Sequence, residues 1–522
     1  MTQRTKSIAR GISILGITGI INKVIGVLYS IPLARILGDK GLGLFQTVFP
    51  TYNLLLTVSS AGLPVAVSRL VSHYLARKDP ANARRTFRIA LWLLVCIGGF
   101  FSFLMLLSNA FLVRLVGVDE AARGFRVIAP CVGIVCALSA FRGFLQGQQN
   151  MVPTAVSQII EQVGRVAISL PLAALGMRRS MAEGASGALL GITFVEAIAL
   201  AYMVIRHFIK KKEYEAWPQV SEDPPASYSK LTKRLIAISV PITISACIIP
   251  LSSFIDSALM VNRMVSSGLT RDTATSLYGI FSGMVIRLIN IPTALALAIS
   301  MSLVPAISAV KAREDYAAIR RQSDTGIRYA FIIGFPCAIG MSVLAKPILH
   351  FFYVETLSAE RLQIAADLLT FSALTVVLFT VVQATSSILQ GLHKESIPMF
   401  TMIAGVLCKI LLNYILIGTP GVNIHGGPFA SITCYSISLI PNLIYCCKYA
   451  QMPFNWRDWL LRPGLAAGAM GLTVYAMTKL LPLARWATVV EILAGIAVYV
   501  GVAFLDHALT RADLATFVRK RR

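Results

Sequence analysis

The chain has 522 residues, of which 56% are hydrophobic and 14% charged, and its mean hydropathy is +0.71. This composition excludes a soluble globular protein, because no soluble fold of this length needs so much apolar surface. The net charge of +24 would suggest a nucleic-acid partner in a soluble protein. In a membrane protein, basic cytoplasmic loops beside anionic lipid account for it, so we expect membrane lipids and no nucleic acid as partners.

Apolar runs of roughly 20 to 28 residues alternate with short polar clusters along the whole chain, and each run is long enough to cross a bilayer as a helix. The weak alternation typical of a membrane β-barrel is absent. The fourteen predicted spans run roughly over residues 10–36, 42–73, 87–113, 124–148, 153–177, 185–209, 233–261, 275–309, 326–352, 364–390, 397–418, 426–449, 460–480 and 486–508. The predicted fold class is an all-α integral membrane protein with about fourteen transmembrane helices.

Lysine and arginine collect in alternate loops, which fixes the expected orientation. Basic clusters follow the second, sixth, eighth and twelfth spans, and residues 519–522 close the chain with four more basic side chains. The positive-inside rule therefore places both termini in the cytoplasm. The first span is expected to stay uncleaved, because its apolar run is too long for a signal peptide.

Signatures of enzymes and metal sites are missing. The six histidines form no HExxH motif, no phosphate-binding loop for ATP occurs, and the nine cysteines form no CxxC pair. We expect no enzyme activity, no catalytic residues, no metal and no cofactor. A membrane-embedded glycan polymerase stays open as an alternative, since its catalytic carboxylate could lie in a short loop.

A short segment repeats about 244 residues apart: Leu145-Gln146-Gly147 returns as Leu389-Gln390-Gly391. A second match joins the Pro64 segment at the end of span two to the Pro305 segment at the end of span eight. Repeats on this scale predict two related halves with a substrate path between them. Each half contains six spans, and because this number is even, both halves enter the membrane from the same side and are parallel repeats. We place an N-lobe at residues 1–209, a cytoplasmic linker at 210–232, a C-lobe at 233–449, and helices thirteen and fourteen with a basic tail at 450–522. Gly147 and Gly391 are predicted to lie in hinge or gate turns.

Ionisable side chains inside spans are costly and therefore point to function. Lys23 lies near the middle of span one and Arg287 near the middle of span eight, close to the helix-kinking Pro292. Two cations facing one cleft would attract an anion such as a pyrophosphate. Snorkelling of Lys23, or pairing of Arg287 with a structural acid, remains the alternative.

Four further charges complete the candidate set. Glu161 and Arg165 have the spacing of a self-neutralised pair on one helix face, and Lys409 lies at nearly the repeat-equivalent position of Arg165. Asp256 in span seven is a candidate to neutralise Arg287 or to bind a coupling cation. Arg35, Arg69 and Arg142 lie closer to span ends and are expected to snorkel or to make helix-end contacts, and Glu196 is left open. The GxxxG spacings at Gly187…Gly191 and Gly464…Gly468 predict helix packing.

Several segments resemble the polysaccharide-export branch of the multidrug/oligosaccharidyl-lipid/polysaccharide (MOP, MATE-like) exporter superfamily, in particular the stage V sporulation protein B and MurJ-type lipid II flippases. The segments are Asn22-Lys23-Val24-Ile25-Gly26, Ala34-Arg35-Ile36-Leu37-Gly38, Gly62-Leu63-Pro64-Val65-Ala66-Val67-Ser68 and Val304-Pro305-Ala306-Ile307-Ser308. The resemblance implies two six-helix lobes and two extra helices that form a groove for a lipid tail. We expect spans thirteen and fourteen, against spans seven and eight, to guide this polyprenyl tail. It also implies alternating-access flipping of an undecaprenyl-pyrophosphate-linked sugar.

In the flippases that the chain resembles, a cluster of cavity arginines holds the pyrophosphate. Arg287 matches the arginine of span eight, and Lys23 stands at a basic position of span one. Tyr29 and Leu56 occur about where other members carry arginines, so Arg165 and Lys409 are candidates to substitute.

The resulting hypothesis is a flippase for a lipid-linked oligosaccharide of peptidoglycan or spore-cortex synthesis in a bacterial cytoplasmic membrane. It would be driven by Na⁺, H⁺ or the membrane potential, with cell-wall synthesis proteins as further partners. A cation-coupled multidrug exporter of the same fold is the main alternative, and it would favour acids such as Asp256 and Glu161 in its cavity.

Overall fold

A computed structural model describes residues 3–211 and 226–510, apart from the side chains of 3–17, 19–21, 23–24, 27, 294–295, 298–299 and 301. Within these residues the chain is helical and contains no β-strand, which confirms the all-α class. By its contacts the chain divides into two compact units, Met1–Gly279 and Ile280–Arg522. The predicted lobe boundaries stay a prediction, and most of the predicted linker lies outside the described residues.

The first unit begins with a long helix that bends at Gly38, where φ is +67°. Its helices are α1 (Gln3–Ser60), α2 (Leu63–Ala76), α3 (Pro80–Leu107), α4 (Asn109–Val116), α5 (Ala122–Gly147), α6 (Val152–Gly164), α7 (Leu170–Met177), α8 (Met181–Ile209), α9 (Tyr228–Ser266) and α10 (Arg271–Tyr278). A π-turn, Arg165–Ser169, joins α6 to α7.

The second unit starts within another π-turn, Gly279–Val285, that leads into its first helix. Its helices are α11 (Ile286–Lys311), α12 (Tyr316–Val343), α13 (Ala345–Tyr353), α14 (Ala359–Ser372), α15 (Leu374–Gly391), α16 (Ser396–Ile417), α17 (Gly426–Tyr449), α18 (Arg462–Leu480) and α19 (Arg485–Leu505). A third π-turn, Arg457–Leu461, precedes α18.

Twelve helices of the described residues are long and apolar enough to cross a membrane, so the predicted count of fourteen is not confirmed. The first two predicted spans merge into one apolar stretch, Leu28–Ala76, and α18 does not meet the same length and hydropathy. Large apolar side chains such as Trp92 (70% exposed) and Leu107 (72% exposed) point outward, as expected where lipid covers the surface.

The two C-terminal helices pack on span nine. Met470 and Val474 of α18 and Tyr499 of α19 form one buried cluster with Leu344, and the Tyr499 hydroxyl donates to the Ile332 carbonyl at 2.6 Å. Within the second unit, α18 and α19 therefore contact α12 and α13. The expectation that the two C-terminal helices, against spans seven and eight, guide a lipid tail stays a prediction.

Candidate functional site

Helix α1 meets α6 and the following π-turn along a row of polar groups. The Asn22 side-chain amide donates to Gln158 Oε1 at 3.3 Å, and the hydroxyls of Tyr29 and Ser169 lie 2.9 Å apart. Lys23 follows Asn22 directly along α1. The Lys23 side chain lies outside the described residues, and its role in binding remains a prediction.

Two ion pairs lie inside the spans of the first unit. Arg142 of α5 pairs with Glu161 of α6 and also donates to Ser157 Oγ at 2.8 Å. Arg165 pairs with Glu196 of α8 at 3.0 Å. The expectation that Glu161 and Arg165 neutralise each other is wrong, because neighbouring helices supply a closer partner to each. Arg142, which was expected to snorkel or to make helix-end contacts, instead forms this largely buried pair with Glu161 of α6.

These four side chains form a charge-balanced centre, which we call the quartet: Arg142, Glu161, Arg165 and Glu196. Side-chain exposure falls from 22% for Arg165 to 3% for Glu196. Glu196 Oε2 and Arg165 Nε are buried without a hydrogen-bond partner among the described residues. Breaking such a pair leaves a charge in a low-dielectric site, so each member needs its partner.

Small residues allow α6 and the π-turn to approach α8 closely enough for this pairing. A Cβ at Gly164 would lie 2.6 Å from Val195 Cγ1, and one at Gly191 would lie 2.4 Å from Ser169 Cα. The packing role predicted for Gly187 and Gly191 is confirmed, since a Cβ at Gly187 would lie 2.3 Å from the Leu172 carbonyl oxygen. π-turns recur at functional sites because they turn side chains out of helical register.

The second GxxxG spacing behaves differently. A Cβ at Gly464 or Gly468 would meet no described atom within 4 Å. The prediction that these two glycines pack against another helix is therefore wrong for the described residues. The GxxxG spacing could not indicate this difference, because it carries no information about which helix face meets a neighbour.

In the second unit, Arg287 is the second residue of α11 and directly follows the π-turn Gly279–Val285. Arg287 is half-buried, and Pro292 is buried inside the continuous helix. Asp256, on α9 of the first unit, is also half-buried. The proposed roles of Arg287 in pyrophosphate binding, Pro292 in a hinge and Asp256 in ion coupling stay predictions.

Lys409 occupies the counterpart of the Arg165 position. Helix α6 begins at Val152 and α16 at Ser396, and the two cations follow these starts at the same interval. By the same register, Gly405 replaces Glu161, and the aligned Leu-Gln-Gly segments place Ser386 opposite Arg142. The helix that corresponds to α8 is α17, and its sequence contains no acidic residue. The second half thus keeps a mid-span cation at this level and lacks the acids of the quartet.

The repeated Leu-Gln-Gly segments form the same turn in both units. The Asn150 N–H donates to the Leu145 carbonyl at 3.0 Å, and the Lys394 N–H donates to the Leu389 carbonyl at 2.8 Å. Gln149 (φ 63°) and His393 (φ 56°) both adopt the left-handed conformation. The repeat is therefore present in the structure as well as in the sequence.

Each glycine of the repeat lies where two helices touch. A Cβ at Gly147 would lie 2.9 Å from the Ser68 carbonyl oxygen, and one at Gly391 would lie 3.1 Å from the Val304 carbonyl oxygen. Ser68 and Val304 are therefore equivalent. Pro64 precedes Ser68, whereas Pro305 follows Val304. The two proline segments therefore lie on equivalent helices, as predicted, but the predicted match of their positions along those helices is wrong. The hinge or gate role of the glycines remains a prediction.

Comparisons with known proteins identify the family. Residues 8–311 match the family described as polysaccharide biosynthesis protein, and residues 241–415 match the MatE family. The chain is 26% identical over 467 residues to the lipid II flippase MurJ of Bacillus subtilis, covering 86% of this chain and 84% of that protein. It is 25% identical over 427 residues to stage V sporulation protein B of the same organism, covering 81% and 80%.

Solved structures share the fold. The lipid II flippase MurJ in an inward closed conformation superposes with a TM-score of 0.68 at 14% identity, covering 97% of this chain and 98% of that one. An inward-facing multidrug resistance MATE family transporter of the MOP superfamily gives 0.67 at 15% identity, covering 84% and 99%. The chain therefore belongs to the polysaccharide biosynthesis protein family, and it is a multi-pass membrane protein with the fold of these solved transporters.

Proposed function

We propose that the protein flips an undecaprenyl-pyrophosphate-linked sugar, a precursor of peptidoglycan, spore cortex or another polysaccharide, across a bacterial cytoplasmic membrane. Both termini lie in the cytoplasm in this proposal, and movement follows alternating access. The names of the two Bacillus subtilis relatives support a lipid-linked cell-wall precursor. Cell-wall synthesis proteins would supply and consume the substrate.

The charge difference between the two halves carries the proposal. In the first unit, Arg142 and Arg165 already occupy both carboxylates of the quartet. In the second, α15, α16 and α17 contain no acid, and Lys409 is their mid-span charge. Such a distribution suits a pyrophosphate, which gains from cations in a low-dielectric cleft, and does not suit a cationic drug.

The test is flipping of a defined lipid-linked precursor in proteoliposomes that contain the purified protein. We expect Arg287→Ala and Lys409→Ala each to reduce the rate by at least about tenfold, since each removes a charge-assisted contact to the pyrophosphate. Arg287→Lys should retain part of the rate, because it keeps the charge and loses the bidentate geometry.

Arg178→Ala is the matched control, since Arg178 is an exposed arginine at the end of α7 and should flip at the wild-type rate. All variants must elute as monodisperse protein in equal yield. Wild-type rates for both Arg287→Ala and Lys409→Ala would overturn the pyrophosphate role.

A cation-coupled multidrug exporter is the second candidate, favoured by the match of residues 241–415 to the MatE family. Coupling to Na⁺ or H⁺ would then require an acid, and Asp256, half-buried on the span-seven helix α9, is our candidate. Efflux of a cationic dye that is driven by an ion gradient and lost in Asp256→Asn would select this function. A flippase driven by the membrane potential alone would leave the dye inside.

The orientation can be tested separately with a cysteine at Ser221, in the predicted cytoplasmic linker, on a background without the nine native cysteines. An impermeant thiol reagent should label this cysteine in broken cells and not in intact cells. Labelling in intact cells would reverse the proposed topology.

A further inference from the structure

A cavity of about 410 Å³ opens at the start of α12 in the second unit. The first turns of α12 form one wall, and the loop between α17 and α18 forms the other. Its lining residues are Ala317, Arg320, Arg321, Asp324, Met452, Pro453 and Asn455. None of these residues belongs to the proposed transport site.

Specific contacts hold the two walls together. The indole N–H of the fully buried Trp459 donates to Asp324 Oδ1 at 2.9 Å, which fastens the loop to α12. The Asn455 amide donates to Asp458 Oδ2 at 2.7 Å, and Arg462 pairs with the same aspartate. The cavity is therefore a built feature of the fold and not a gap between loose segments.

Two arginines give the cavity its chemistry. Arg320 and Arg321 are both exposed, and neither guanidinium has a hydrogen-bond or carboxylate partner within residues 3–211 and 226–510. Asp324, the one acid in the lining, already accepts from Trp459. The lining thus carries a net positive charge with guanidinium donors open to a ligand.

The arginine pair of this cavity has a counterpart at the start of α3 in the first unit. Asp79 caps α3 by accepting from the Asn82 N–H, and Asp315 caps α12 by accepting from the Ala318 N–H. The residues just before these caps, Lys78 and Glu314, share a left-handed conformation. The two helix starts are therefore equivalent, which places Arg84 and Arg85 opposite Arg320 and Arg321.

In the first unit the guanidinium of Arg85 is satisfied internally. It donates to the Ala226 carbonyl at 2.7 Å and lies 4.5 Å from the centroid of the Tyr228 ring. The loop from α17 to α18 supplies no such cap to Arg321. The repeat thus places an arginine pair at the start of both helices, and in the second unit this pair lines a cavity.

The surroundings place this cavity at the level of lipid headgroups. It lies at the first turns of a membrane-spanning helix, and the loop that closes it exposes Phe454 (51%) and Trp456 (56%). Exposed aromatic side chains at the end of a span sit at the membrane interface. Basic pockets at this level bind the headgroups of anionic lipids.

We propose that this cavity binds the phosphate of an anionic phospholipid headgroup, with Arg320 and Arg321 as the phosphate ligands and Phe454 and Trp456 beside the acyl chains. Phosphatidylglycerol is the probe lipid. The arginine fork suits phosphate oxygens, and the neighbouring aromatic surface suits a lipid rather than a soluble anion.

The test is native mass spectrometry of the purified full chain in neutral detergent with phosphatidylglycerol or phosphatidylethanolamine added. We expect the wild type to retain phosphatidylglycerol at least about tenfold more tightly than phosphatidylethanolamine, because each basic side chain near the surface contributes attraction. Arg320→Ala/Arg321→Ala should abolish this preference. Arg313→Ala/Arg457→Ala removes two exposed arginines outside the lining and should preserve it.

A second variant guards against loss of fold in the arginine double variant. Ala317→Trp keeps both arginines and fills the cavity, so it should also lose the bound lipid. Equal retention of the two lipids by the wild type, or an unchanged preference in Ala317→Trp, would overturn the proposal. Displacement of the lipid by millimolar inorganic phosphate would show that the source is a soluble anion and would overturn the lipid assignment.

Discussion

The two halves of this protein share a backbone pattern and differ in charge. The first half buries two arginines against two glutamates, Arg142 with Glu161 and Arg165 with Glu196. In the second half, the corresponding helices α15, α16 and α17 carry Lys409 at mid-span and no acid. The arginine pairs that begin α3 and α12 diverge similarly, since Arg85 is capped internally while Arg321 lines a cavity. Turns and close helix contacts constrain the backbone in the same way in both halves, whereas the charged side chains have different partners and surroundings in each half.

The largest expected effect comes from breaking the quartet. Glu196→Ala leaves the Arg165 guanidinium uncompensated in a buried site, which should lower the free energy of unfolding by about 3–5 kcal/mol. Lys409→Ala removes a half-buried cation from α16, and α15, α16 and α17 contain no acid that its loss could leave uncompensated, so it should cost well under half as much. Thermal unfolding of the purified variants, followed by the fraction that stays monodisperse, measures both. Equal losses would remove the distinction between a structural quartet and a lysine kept for substrate.

The glycine contacts test whether the two halves share their packing. A Cβ at Gly147 would lie 2.7 Å from Val71 Cβ, and one at Gly391 would lie 2.7 Å from Ile307 Cβ. Valine at either position should therefore destabilise the protein by about 1–3 kcal/mol through overpacking. Gly99→Val, with no described atom within 4 Å of the added Cβ, is the matched control. A large effect in one half alone would show that the contact is not equivalent.

The N-terminal caps of α3 and α12 test the same equivalence of the two halves, with a smaller expected effect on stability. Asp79→Ala and Asp315→Ala each remove an acceptor for a first-turn N–H, so each should cost about 1 kcal/mol. Asp79 also accepts from the Asn82 side chain at 2.6 Å, so its loss should be the greater of the two. Replacement by serine should restore most of the stability, and the same thermal assay measures it. A null effect at Asp315 would weaken the register that aligns the two arginine pairs.

The smallest effect is expected at the glycine that has no neighbour. Gly464→Ala should stabilise the protein by up to about 1 kcal/mol, because alanine loses less backbone entropy in a helix and meets no described atom. Gly191→Ala should destabilise it, since its Cβ would collide with Ser169. Opposite shifts in unfolding temperature would distinguish the packed GxxxG of the first half from the open one of α18. Destabilisation by Gly464→Ala would indicate a neighbour for this face.

Features that depend on a short stretch of chain were predictable. Hydropathy located helices near the predicted spans because each must satisfy its own backbone inside lipid. The repeated Leu-Gln-Gly turn was predictable because a helix end and its left-handed residue are set by adjacent residues. The packing of Gly187 and Gly191 also followed from spacing alone, although the same reasoning failed at Gly464 and Gly468.

The charge partners were not predictable in this way. Spacing on one helix suggested that Glu161 pairs with Arg165, yet each is closer to a side chain on another helix. Such a choice depends on how near α6 approaches α5 and α8, which small residues far apart in sequence decide. The match of Pro64 to Pro305 failed for a related reason, because glycine contacts and helix caps set the register instead of the prolines.

By itself, the sequence determined the class of the protein, its all-helical membrane character, the existence of a repeat and the excess of positive charge. These properties follow from the transfer energetics of side chains and from local backbone geometry, and they need no long-range contact. Only the tertiary structure decided which charges neutralise each other, which helices hold α18 and α19, and that Arg320 and Arg321 share a cavity. Those outcomes depend on distances between helices, because a charge in a low-dielectric interior takes the nearest opposite charge that packing brings to it.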